Sequence, residues 1–182
     1  MSDPVTEFVI LRLKPDMTSL KDPELIAGLR RVSSEQSAWS TFPLHWFTYT
    51  ADGYTFVCIL TQWDDVPAHQ EWIDSAQNQA LLKLLLPILE IHAYCHVDLH
   101  ASKSGVELGD LLQAKQLSWR KLTEAERVAG PGGRIGDACG WAVDTPEPTF
   151  YVFRVDDETG AGMEQQEDWI AITRLDFGNV SI

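Results

Sequence analysis

The apolar and β-branched residues from Val5 to Lys14 run almost unbroken until Pro15-Asp16, which predicts a strand. Ser19 to Ser37 then changes period. Leu25, Ile26, Leu29 and Val32 recur at helical spacing, Asp22 is a good N-cap, and Pro23 falls at the first helical position. Leu44 to Thr50 predicts a second strand and Tyr54 to Trp63 a third. Ala51-Asp52-Gly53 is the hairpin turn between them, with Asp-Gly supplying the positive φ. Asp64-Asp65 opens a helical region to about Leu86, with acids in its first turn and a break near Ser75 to Asn78. Pro87 stops it, and Ile88 to Leu99 predicts the fourth strand. The order β-α-β-β-α-β is the split βαβ, ferredoxin-like arrangement, an α+β fold.

The second half is less regular. Val106 to Gln116 and Leu122 to Val128 predict short helices, the latter with Thr123 as N-cap. Gly140 to Asp144, Thr149 to Val155 and Trp169 to Phe177 predict strands. Ala129 to Gly136 holds four glycines and a proline and reads as loop; the acidic stretch Asp156 to Asp168 reads as a loop or a short, exposed helix. The chain is therefore divided into a ferredoxin-like unit, residues 1–103, and a degenerate second unit, 104–182, packed on the first. No residue-by-residue repeat supports the division.

Residues Trp63-Asp64-Asp65-Val66-Pro67-Ala68-His69-Gln70-Glu71-Trp72, then Ser75 to Gln79, then Leu85-Leu86-Pro87-Ile88-Leu89 resemble the dimeric α+β barrel superfamily. Within it they are most similar to the antibiotic-biosynthesis monooxygenase-like group, and the extra C-terminal half resembles fungal tandem members. The resemblance implies a second sheet facing the first, from a partner or from the second half, with a pocket between them. It implies a homodimer as the usual assembly. It does not fix a reaction, because the superfamily holds cofactor-free oxygenases, polyketide cyclases, haem enzymes and members without known activity.

Charge narrows the partners. The 182 residues carry 27 acids against 14 Lys and Arg, a net −13 without a basic run. Nucleic acid and anionic membrane need a cationic face, so neither is expected. No apolar stretch is long enough to span a bilayer and no secretory signal is visible. Three cysteines, Cys58, Cys95 and Cys139, form no C-x-x-C pair. A reducing, cytoplasmic setting is expected.

Candidate chemistry concentrates on the fourth strand. Alternation puts Ile91, Ala93, Cys95, Val97 and Leu99 on one face, read as lying under the helices. Glu90, His92, Tyr94, His96, Asp98 and His100 share the other, read as facing the barrel. Four readings stay open: an exposed or half-exposed strand or an interface with satisfied polar pairs, acid/base chemistry, a metal on His96, Asp98 and His100, or haem ligation by a histidine. Acid/base chemistry makes His92 or His96 the general base or acid. Tyr94 would bond a carbonyl or enolate oxygen, Asp98 would hold a histidine tautomer, and Arg12 would stabilise developing negative charge. His45, Trp46, Phe47, Tyr49 and Trp141 are the candidate substrate-lining residues. His69 reads as a helix residue with a structural or surface role. The expected function is a cofactor-independent enzyme of secondary metabolism that cyclises, dehydrates or isomerises a hydrophobic polyketide-like intermediate. The alternatives are a cofactor-free monooxygenase of an aromatic substrate and a non-catalytic binding or assembly protein. No cofactor and no metal is expected.

Overall fold

A computed structural model describes residues 4–15, 19–99, 108–129, 137–156 and 168–177. The first half follows the predicted order: β1 (Val5–Leu13), α1 (Pro23–Ser40), β2 (His45–Ala51), β3 (Tyr54–Trp63), α2 (Val66–Asp74), α3 (Ala76–Leu85) and β4 (Leu89–Leu99). Asp22 caps α1 by accepting from the amides of Glu24 and Leu25. Ser75 ends α2 and caps α3, accepting from the Asn78 amide, so the break in the helical region is a shared cap. Asp52 and Gly53 both take positive φ in the β2–β3 hairpin.

The second half supplies α4 (Leu108–Gln113), β5 (Gln116–Leu122), α5 (Glu124–Ala129), β6 (Ala138–Ala142), β7 (Phe150–Val155) and β8 (Ile170–Arg174). Thr123 and Glu126 form a reciprocal capping box at the start of α5. Strand β5 was not predicted, although Leu117 and Trp119 alternate with Gln116, Ser118 and Arg120. Most of the Ala129–Gly136 and Asp156–Asp168 loops lies outside the described residues, as does His100.

All eight strands form one closed barrel in the order β1-β3-β2-β8-β5-β7-β6-β4. The two halves join at β2–β8 and at β4–β6, so the barrel closes within a single chain. At the second seam, Gly140 lies against β4 so closely that an added Cβ would sit 1.9 Å from the Asp98 carbonyl oxygen. No helix among the described residues is long and apolar enough to cross a membrane.

Two apolar cores result. One fills the barrel: Phe8, Phe47, Cys58, Leu60, Cys95, Val97, Leu117, Trp119, Tyr151 and Phe153 all belong to it. The Phe8 ring meets Trp119, Phe153 and Tyr151 edge-on at 5.0, 5.2 and 5.9 Å. The other core lies between the outer face of the first-half strands and helices α1 to α3. Val9, Trp46, Ile59 and Trp63 pack there against Leu25, Leu29, Trp72 and Leu81.

This arrangement reverses the expected faces of β4. Cys95, Val97 and Leu99 point into the barrel, while Tyr94 and His96 face outward, towards the helices. The barrel interior is lined mainly by apolar side chains, so it takes the apolar face of β4; the expectation had given that face to the helices. A bulge opposite Ile10/Leu11 then skips His92, whose ring meets Phe56 at the barrel wall. The expected pocket between two sheets is instead packed with aromatic rings.

One barrel end is plugged. Leu111 and Leu112 of α4 are buried in the barrel core. Arg174 holds the plug, donating to the carbonyls of Leu112 and Ala114 and, at 3.1 Å, to His45 Nδ1. The second half carries no counterpart of α1 to α3 among the described residues. There the outer face is polar: Trp169 stacks between Arg120 and Arg154, and Arg154 pairs with Asp137.

Candidate active site

Four titratable side chains meet in the space between sheet and helices. Glu7 on β1 stands directly opposite His96 on β4. Helix α2 brings His69 down onto both, its first turn fixed by the Asp65 side chain accepting from the Ala68 amide at 2.8 Å. The chain after β6 brings Asp144. Val143 extends the ladder by donating to the His96 carbonyl at 2.9 Å. Asp144 Oδ1 then accepts the His96 amide at 2.9 Å, so a carboxylate replaces the next ladder carbonyl.

These groups form a continuous row. Asp144 Oδ2 lies 2.7 Å from His96 Nδ1, and His96 Nε2 lies 2.7 Å from His69 Nδ1. His69 Nε2 approaches Glu7 Oε1 at 3.5 Å. The other Glu7 oxygen accepts from Trp63 Nε1 at 2.6 Å and from Gln36 Nε2 at 3.1 Å. Trp63 also stacks on the His69 ring, with centroids 4.3 Å apart. Burial disfavours charge in this space. It raises the Glu7 carboxyl to about 7, against weaker downward pulls from Trp63 and Gln36. It lowers His69 to about 3, with His96 adding to the effect.

Tyr94 closes the row towards solvent. Its ring lies edge-on to His69 and His96, at 5.8 and 5.4 Å. The residue is 40% exposed, whereas His96 is fully buried. Burial of the phenol, then the Asp144 and Glu7 charges, push its ionisation upward. Ile91 and Val143, 56% and 49% exposed, add apolar surface: Ile91 lies on the same outer face, and Val143 hydrogen-bonds beside His96.

The structure brings together two of the five proposed catalytic residues, His96 and Tyr94. His92 and Arg12 stand beside Phe56, away from the α4 plug. Arg12 pairs with Glu90 at 2.5 Å and lies over the Tyr54 ring, away from the histidine row. Asp98 sits at the β4–β6 seam opposite Trp141. The acid that orients His96 is Asp144, outside the strand. The proposed substrate-lining residues also separate. Phe47 and Tyr49 belong to the barrel core, Tyr49 stacked on Phe56. Trp46 points the other way and donates to Ser33 Oγ at 2.7 Å. Trp141 packs on Phe150, with Arg127 over its ring. His45 is buried against Arg174, and burial followed by the Arg174 charge lowers it to about 4.

Sequence reasoning passed over Glu7, Asp144, Gln36 and a functional role for His69. One signal was present: Glu7 is the lone acid on the helix-facing side of β1, with Val9, Leu11 and Leu13. Asp144 is reached only through the β4–β6 seam and had no local signal.

The buried histidine row offers no free ring nitrogen to a metal or haem, while His100, the third member of the expected metal set, lies outside the described residues. Both ring nitrogens of His69 and His96 already face protein partners, and no cluster of three metal-ligating groups occurs among the described residues. The unpartnered Nε2 of His45 is sealed in the packed core.

The fold recurs in solved structures. An anthrone oxidase-like protein matches with a TM-score of 0.60 at 10% identity, over 93% of this chain and 90% of that one. A protein described as a putative chlorite dismutase matches with a TM-score of 0.57 at 12% identity, over 98% and 97%. A protein of Fusobacterium nucleatum subsp. nucleatum described as a putative monooxygenase matches at 0.54 and 10% identity, over 95% and 92%. The chain has the α+β barrel fold of these chlorite dismutase-like and monooxygenase-like proteins. No protein-family model and no curated protein sequence matches it.

Proposed function

We propose that this protein is a cofactor-free oxygenase whose substrate is a flat aromatic molecule with an acidic C–H, such as an anthrone. The observation that carries the reading is the Asp144–His96 pair, backed by His69 and opened to solvent beside Tyr94. The substrate lies on the apolar surface of Ile91, Tyr94 and Val143. Asp144, backed by His96, accepts the substrate proton, and the Tyr94 hydroxyl donates to the enolate oxygen that develops. The carbanion reduces dioxygen and bonds to it. The resulting hydroperoxide loses water to leave a carbonyl, so one CH2 and one O2 become one C=O and one H2O. The recurrence of this fold in an anthrone oxidase-like protein supports the choice of oxygenation over cyclisation or isomerisation, which begin with the same proton abstraction.

The competing reading is a non-catalytic binding protein. It is favoured by the fact that every ring nitrogen of His69 and His96 already has a partner.

The test is oxygen uptake by the purified protein with a panel of anthrones and related phenols, with 18O2 incorporation read by mass spectrometry. Uptake that falls about 10²-fold or more in Asp144→Asn and Tyr94→Phe is expected. Substrate loss without uptake would replace oxygenation by cyclisation or isomerisation. Saturable binding without turnover would establish the binding protein.

A further inference from the structure

We infer that Glu7, His69, His96 and Asp144 form a reversible proton relay whose hydrogen-bond direction is set at its Asp144 end. The relay deepens the reading above by giving the site a buried proton store, and its readout needs no turnover.

The direction follows from donor and acceptor counting. As a carboxylate, Asp144 only accepts, so His96 Nδ1 must carry the proton that faces it at 2.7 Å. A neutral His96 then presents a bare Nε2, and His69 must donate from Nδ1 across 2.7 Å. The remaining His69 nitrogen, Nε2, is bare and faces Glu7 Oε1. Trp63 and Gln36 are both donors and occupy Oε2, so a Glu7 proton belongs on Oε1, aimed at His69. Burial disfavours the charged forms of both His69 and Glu7, as this arrangement needs.

Reversal conserves every atom. The Glu7 O–H bond breaks as His69 Nε2–H forms; His69 Nδ1–H breaks as His96 Nε2–H forms; His96 Nδ1–H breaks as Asp144 Oδ2–H forms. One proton thereby leaves Glu7 and one arrives at the solvent end. The Glu7–His69 junction, at 3.5 Å, is the loosest link, and closing it by about 0.5 Å makes it a hydrogen bond. Among the described residues, the titratable Tyr94 also faces this row. Glu7 acts through the histidines and is a positioning residue.

Substitutions at the two ends make opposite predictions. In Asp144→Asn the His96 amide still claims the side-chain oxygen, so the new NH2 faces His96 Nδ1 and reverses the row. In Glu7→Gln the Trp63 and Gln36 donors claim the oxygen, so the NH2 faces His69 Nε2 and locks the original direction. The readouts are ring 15N NMR of the two histidines and the infrared carbonyl band of a protonated carboxylic acid. At pH 6 the wild type should show both rings as Nδ1–H and a carboxylic-acid band that Glu7→Gln removes. Glu7→Gln should keep both tautomers; Asp144→Asn should convert both to Nε2–H and lose the band. An unchanged His69 tautomer in Asp144→Asn would overturn the relay. Should that variant not fold, the wild type decides alone: His69 as Nε2–H or imidazolium at pH 6 overturns the proposal. Normal tautomer switching without any catalysis would reject the oxygenase reading and leave the relay intact.

Discussion

Replacing Glu7 with glutamine should stabilise the protein at alkaline pH, and the size of the gain follows from the burial of one carboxyl. The folded protein holds the Glu7 proton to about pH 7, against an ordinary value of 4.5. A carboxyl raised in this way contributes its stability below pH 4.5 and loses it as pH rises through 7, because the folded state binds more protons across that window. The shift of roughly 2.5 units corresponds to about 3 kcal/mol. Glutamine keeps the acceptor for Trp63 and Gln36 and cannot ionise. His69 and His45 work in the opposite sense. Both are lowered, so their stability is present above 6.5 and lost as pH falls through 4 and then 3. They remain in both proteins and cancel in the difference. Urea unfolding followed by tryptophan fluorescence, from pH 4 to pH 9, reads that difference. The variant's stability relative to wild type should rise by about 3 kcal/mol between pH 4 and pH 8, mostly between 4.5 and 7. A difference that stays flat would show that Glu7 ionises normally in the fold and would refute the argument.

Two further perturbations test the barrel itself. Gly140→Ala places a methyl group against the Asp98 carbonyl and should destabilise the chain by about 1–3 kcal/mol through forced separation of β4 and β6; urea midpoints equal to wild type would contradict the tight seam. Arg174→Ala frees the Leu112 and Ala114 carbonyls and should cost about 2–3 kcal/mol, with faster hydrogen exchange at the Leu111 to Gln113 amides; unchanged exchange there would mean that the leucines alone hold the plug.

The first half was legible because its signals are local. Asp22-Pro23 announces α1, Asp52-Gly53 the hairpin, and Pro87 the end of α3. The facing of β4 was not legible. Its pattern shows that Cys95, Val97 and Leu99 are on one side, but two apolar layers competed for that side. Only closure of the barrel, a contact between residues far apart in sequence, decides which layer takes it. The candidate site divides along the same line. His96 and Tyr94 stood out as polar residues among apolar neighbours. Asp144 reaches His96 across 48 positions of chain, and the bulge that removed His92 from the row leaves no mark in composition.

A barrel assembled from two equivalent units would present the same chemistry twice, related by a dyad. Here one flank is roofed by three helices, and the opposite flank is surfaced by Arg120, Trp169 and Arg154. Among the described residues, the buried histidine row therefore lies on the helix-covered flank alone. If the proposed site is correct, saturation at one equivalent per chain and a plain hyperbolic isotherm are the expected outcome, since the described residues of the other flank hold no second histidine row.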